Sequence, residues 1–155
     1  MVLMKKLIFI LTSLAILSAT GCKKEEKPID CNAVLPGEWH CAPGGFDADI
    51  YVAFNEDGSF DLYQQTGDGR HRHYTGNWTC EGSTLSGTYA DGTTWGSSYK
   101  AMFKDEDTMT LTALNGSKEV MTYVREAVPS EVIEGCIEVR SSLRMLNSQP
   151  QYSWL

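Results

Sequence analysis

From residue 37 to residue 126 the chain alternates apolar and polar positions in short runs, and each run ends at turn residues. Ile50, Val52 and Phe54 alternate with their neighbours, as do Tyr99, Ala101 and Phe103, and again Met109, Leu111 and Ala113. A period of two puts such residues on one face of a strand. The breaks are rich in Asp, Asn and Gly: Asn55-Glu56-Asp57-Gly58, Thr66-Gly67-Asp68-Gly69, Glu81-Gly82-Ser83, Asp91-Gly92 and Asp105-Glu106-Asp107. These residues supply left-handed backbone or local side-chain hydrogen bonds. Asn115-Gly116 is a strong hairpin signal. The pattern predicts eight strands, at 37–42, 50–54, 60–65, 70–79, 85–89, 97–104, 108–114 and 118–125.

All the connections are short, so successive strands are expected to be antiparallel neighbours. The expected fold class is all-β, an eight-stranded antiparallel up-and-down barrel over 35–126. Pairing the eighth strand with the first removes both exposed edges. The apolar face then points inward, and carries Val52, Phe54, Phe60, Leu62, Trp78, Leu85, Tyr89, Tyr99, Phe103 and Leu111 as the candidate ligand-facing positions. After the barrel, Pro129 suits a first helical position. Val132, Ile133, Cys136 and Ile137 recur at helical spacing, which predicts a short helix on the barrel wall. The segment 127–155 is read as this helix and a tail ending in Trp154-Leu155.

The start of the chain is different. Lys5 and Lys6 precede an apolar run at 7–17, then small residues and Cys22. This is the layout of a secretory signal peptide over 1–21. An apolar run of 11 residues is too short for a span that needs about 20. Ala19-Thr20-Gly21-Cys22 resembles a bacterial lipobox, with Ala19 where Leu is usual. Cys22 would then be the lipidated first residue of the mature chain. Cleavage by ordinary signal peptidase would instead give a soluble secreted protein. The cysteines weigh for lipid: of Cys22, Cys31, Cys41, Cys80 and Cys136, spending Cys22 leaves an even four for disulfides in an oxidising compartment. The polar stretch that follows leads to a flexible tether over 22–34. Lys24-Glu25-Glu26 resembles an export signal for the outer face of the outer membrane, so the expected location is that membrane, lipid-anchored, on either face.

Charge narrows the partners. Without Lys5 and Lys6, 11 basic residues face 20 acidic ones, a net charge of −9. Such a surface repels nucleic-acid phosphates and attracts a cationic partner. His71 and His73 share one strand face and form a candidate metal pair. With only His40 besides, and no Cys-x-x-Cys, a full zinc set is missing, so neither metal nor cofactor is expected. There is no Gly-x-Ser-x-Gly elbow and no phosphate loop, and the acidic residues fall mostly in turns, so no enzymatic role is expected. Asp107-Thr108-Met109 matches a short O-glycosylation acceptor and equally a plain turn. Gly37-Glu38-Trp39-His40-Cys41 is echoed by Gly76-Asn77-Trp78-Thr79-Cys80, read as coincidence in a Gly- and Trp-rich β protein. In a meander Cys41 and Cys80 lie at opposite ends, so they should not pair. Two connectivities of the four cysteines remain.

Leu35-Pro36-Gly37-Glu38-Trp39 resembles the Gly-x-Trp opening of lipocalins. The eight-strand meander and the following helix fit as well. The whole resembles the calycin-type, lipocalin-like lipoproteins of gut Gram-negative bacteria. The resemblance implies that Trp39 closes the barrel floor, with Gly37 beside it and Arg125 from the last strand packed over the ring. It also favours tying the C-terminal segment to the barrel through Cys80–Cys136, which leaves Cys31–Cys41. It implies a binding protein for a small apolar ligand held at the open end. The strands are shorter than in ligand-carrying lipocalins, and an eight-strand barrel encloses little space, which large residues such as Trp39, Phe54 and Trp78 can fill. The second expectation is therefore a protein-interaction module, an acidic barrel that inhibits a cationic host enzyme such as lysozyme.

Overall fold

A computed structural model describes residues 30–41, 48–67 and 69–139. The leader, Cys22, most of the tether and the tail from residue 140 lie outside these residues. Eight antiparallel strands close into a barrel: β1 (Gly37–Cys41), β2 (Ala48–Phe54), β3 (Ser59–Thr66), β4 (Arg72–Glu81), β5 (Thr84–Tyr89), β6 (Tyr99–Asp105), β7 (Thr108–Ala113) and β8 (Val120–Arg125). Each strand pairs with the next, and β8 returns to β1 with Trp39 opposite Arg125 and Cys41 opposite Tyr123. Short Asx-type turns set the corners: the amide of Ser59 donates to Asp57, that of Thr93 to Asp91, and that of Ser117 to Asn115.

Alternation along β4 is the clearest. Tyr74, Gly76, Trp78 and Cys80 are buried, and Thr75, Asn77 and Thr79 between them are exposed. Gly76 sits where three strands crowd together. A Cβ there would lie 2.0 Å from the Thr88 carbonyl oxygen and 2.7 Å from the Phe60 ring. Only glycine fits that approach.

Three local features depart from the sequence expectation. Residues 31–34 belong to the folded domain, not to a tether: Cys31–Val34 is a short helix, α1, capped by the Asp30 carboxylate accepting from the amide of Asn32. Leu35 beyond it is fully buried, which fixes α1 against the barrel. The sixth strand starts at Tyr99 rather than at residue 97, because Trp95 turns into the core and takes the chain off the sheet. The final helix, α2 (Ser130–Gly135), is shorter than the expected periodicity. Its Val132 is buried, but Ile133 is exposed. Cys136 and Ile137 have left the helix. Ile137–Glu138 is a two-residue strand, β9, parallel to β4 at Arg72 and His73, where β5 no longer covers the β4 edge.

Candidate functional site

The closed end is built around Trp39. Its ring is fully buried, and its Nε1 donates to the Leu35 carbonyl at 2.9 Å. The Arg125 guanidinium lies 4.2 Å from the ring centroid. It donates to the carbonyls of Val34, Pro36 and Glu106 at 2.9–3.1 Å. A cation over an aromatic face is attracted to it, and here the same cation satisfies the carbonyls at the end of α1. Gly37 has a φ of 132°, and a Cβ on it would lie 2.1 Å from Arg125 Nη1. Gly37, Trp39 and Arg125 therefore form one contact set.

Side chains occupy the barrel interior. Val52, Phe54, Phe60, Leu62, Trp78, Leu85, Tyr89, Tyr99 and Leu111 are all buried in one core, and Phe103 is half-buried at its edge, 6.2 Å from the Trp39 ring. The rings meet edge to face: Phe54 with Trp78 at 5.7 Å, Phe60 with Trp95 at 5.2 Å and with Tyr89 at 5.9 Å. Tyr123 is fully enclosed, and burial holds its hydroxyl proton far above the ordinary range. Burial likewise raises Tyr99. Leu35, Ile50, Tyr74, Trp95, Met109, Met121 and Tyr123 also belong to this core.

A groove of about 500 Å³ lies on the flank of the barrel, where β5 and β6 separate. Asn77, Thr79, Ser86 and Thr88 line one side, and residues 94–98 the other. Trp95 forms part of the lining, with its Cε2 and Cζ2 edge over Gly87. Its Nε1 is buried and finds no hydrogen-bond acceptor among the described residues. The position of Trp95 is not legible in the sequence, because it falls between the Asp91-Gly92 turn and the strand expected from residue 97, where no alternation places a side chain.

The opposite outer wall carries a row of rings set by strand register. His40 on β1 is opposite Tyr51 on β2, Tyr51 is opposite Tyr63 on β3, and Tyr63 is opposite His73 on β4. His40 stacks on Tyr51 at 4.2 Å and His73 on Tyr63 at 4.5 Å. Val128 and Val132 cover the two tyrosines. Carboxylates hold each imidazole: His40 bridges Asp49 and Glu126, His71 meets Asp49, and His73 bridges Asp61 and Glu138 at 2.8 Å each. The Asp61 and Glu138 hydrogen bonds raise the His73 pKa, against desolvation. The His73 bond lowers that of Asp61. His71 and His73 are thus not brought to a common centre, since each is claimed by a different carboxylate.

A family model described as a lipocalin-like domain matches residues 25–111. The chain belongs to the lipocalin-like domain family. No curated protein matches it. The match runs from before α1 into β7, so the β8 strand that delivers Arg125 lies beyond it. A lipocalin-like barrel suggests small-ligand binding in general.

The cysteines of this lipocalin-like chain pair differently from expectation. The disulfide joins Cys31 to Cys80, so neither Cys80–Cys136 nor Cys31–Cys41 forms. Cys31, just before β1, sits at the barrel end where β4 finishes. Cys41 points into the core at the other end of β1, and Cys136 lies outside the wall against Tyr51, Tyr63 and α2. The sheet separates those two, and both remain thiols. Burial, then Asp49, pushes the Cys41 thiol up to about 11. Iodoacetamide at pH about 8 should therefore label Cys136 well before Cys41, because the attacking species is the accessible thiolate. Peptide mapping reads the order, and faster labelling of Cys41 would mean that the core at β1 is open.

Proposed function

We propose that this lipocalin-like protein is a non-enzymatic binding protein, anchored by lipid on Cys22 at the outer membrane, which takes a small ligand in the flank groove rather than along the barrel axis. Trp95 carries the reading. Its indole forms part of the groove lining, a flat apolar face on which a compact ligand can rest. The hydroxyls and amide of Asn77, Thr79, Ser86 and Thr88 beside it favour a ligand with several polar atoms around a compact body. The interior rings leave the axis to side chains, which argues against the apolar, axially held ligand expected from the family resemblance.

Native mass spectrometry of the protein purified from its own membrane tests this. A bound small molecule should be retained by the wild type and lost from Thr79→Arg and Ser86→Arg, which fill the groove from exposed or half-exposed positions. Retention in both variants would place the ligand elsewhere. The anchor has its own test: Cys22→Ser should move the protein from the detergent phase to the aqueous phase on Triton X-114 partition. A wild type already in the aqueous phase would remove the lipid.

A second reading, inhibition of a cationic host enzyme such as lysozyme, is favoured by the filled interior and the −9 charge of the mature chain. It expects the protein to slow lysozyme in a salt-sensitive manner. Full lysozyme activity at excess protein and low salt would end it.

A further inference from the structure

We propose that His73, Cys136 and Glu138 form a binding site for a divalent metal ion of the zinc class, on the outer wall of the barrel. One ligand atom from each, the imidazole Nδ1, the thiol Sγ and a carboxylate oxygen, lie within 4.8 Å of one another. Nδ1 is 2.8 Å from Glu138 Oε1, and Sγ is 3.8 Å from the same oxygen. Tetrahedral zinc, with bonds of about 2.0–2.3 Å, spaces neighbouring ligand atoms about 3.3–3.6 Å apart. The 2.8 Å and 3.8 Å separations lie on either side of that spacing.

The surroundings match a metal site independently of the ligands. His73 Nε2 donates to Asp61 Oδ1 at 2.8 Å and Nδ1 to Glu138 Oε1 at 2.8 Å, so an ion at the cluster would take the place of the Nδ1 proton while the Nε2 proton stays on Asp61. A carboxylate on the far nitrogen of a ligating histidine is the usual outer partner that orients the ring. Asp61 is itself held by the Asn55 amide at 3.2 Å, and the Tyr63 ring stacks on the imidazole. The ligands also come from elements that pair with each other: His73 on β4 is opposite Glu138 on β9, and Cys136 immediately precedes β9.

The donor set selects the ion. A thiolate and an imidazole favour zinc over calcium or magnesium, which take oxygen ligands. Binding expels to solvent the Cys136 thiol proton and the proton that His73 Nδ1 holds toward Glu138. Thiolate and carboxylate together then balance the two charges of the ion. Glu138 is exposed, so the fourth position is open to water. The other histidine cluster on this wall, His40 and His71 on Asp49, contains no sulfur, which separates the two experimentally.

The test is a cobalt(II) titration of the full-length chain in detergent, after mass analysis has shown Cys136 as a thiol. The expected result is a thiolate-to-cobalt charge-transfer band that saturates at one equivalent and is bleached by zinc. Cys136→Ser, a change at a half-exposed position, should abolish the band, and His73→Gln should do the same. Asp61→Asn should keep the band but weaken binding about 10–100-fold. Absence of the band at saturating cobalt, or its survival in Cys136→Ser, would overturn the site. An unchanged affinity in Asp61→Asn would overturn the positioning role of that carboxylate.

Discussion

Replacing Cys31 and Cys80 together by serine should cost the barrel about 4 kcal/mol. The disulfide joins residues separated by 49 positions. In the chain-entropy account a loop of about that length, left open in the unfolded state, corresponds to roughly 4 kcal/mol. Against a typical 5–15 kcal/mol for a domain, this is a large share. The effect has a structural side as well. The bond fastens α1, whose four residues make too short a helix to persist alone. α1 in turn presents the Val34 and Leu35 carbonyls to Arg125 and Trp39. Urea unfolding of the double serine variant measures the loss. Non-reducing peptide maps of the wild type should show the Cys31–Cys80 peptide and no Cys41–Cys80 peptide. A change in stability below about 1 kcal/mol would mean that the bond contributes little in solution.

The barrel was legible in the sequence because its signals are local. Alternation such as Ile50, Val52, Phe54 and turns such as Asn115-Gly116 set strand number and order, and short connections leave only the meander. The disulfide was also within reach of the same logic. The end of β4 and the start of β1 share one end of an up-and-down barrel, so Cys80 belongs with a cysteine preceding β1, which is Cys31. Family habit pointed to Cys136 instead. Helical spacing puts Cys136 on a helix face, but the helix stops at Gly135. The outer wall was harder to read. Tyr51 and Tyr63 lie on the face opposite Val52 and Leu62, and nothing in a period of two says that both faces of β2 and β3 are covered. Only register brings His40, Tyr51, Tyr63 and His73 into one row, and register is a property of strand pairs rather than of any one strand. The metal-type cluster needs more still, because β9 is two residues long and carries no pattern of its own.

Trp39→Ala should be the most damaging single substitution at the closed end, at about 3–5 kcal/mol, the usual cost of deleting a buried aromatic side chain. Trp39 has no solvent exposure. The change also leaves the Leu35 carbonyl without its indole donor and the Arg125 guanidinium without the ring beneath it. Arg125→Ala should cost less, about 1–3 kcal/mol, since it removes a cation–aromatic contact and hydrogen bonds made at a partly solvated site. The coupling between them is the decisive quantity. Two residues in contact share part of the loss, so the double variant should fall short of the sum by about 0.5–2 kcal/mol. Gly37→Ala supplies a third comparison. Its Cβ would displace the guanidinium, and its φ of 132° is strained for any side chain, so it should mimic part of Arg125→Ala and add little to it. Urea unfolding of the single and double variants measures each leg. Simple additivity of Trp39→Ala and Arg125→Ala would mean that the guanidinium does not rest on the ring in solution. β8 would then close on β1 through its backbone ladder alone.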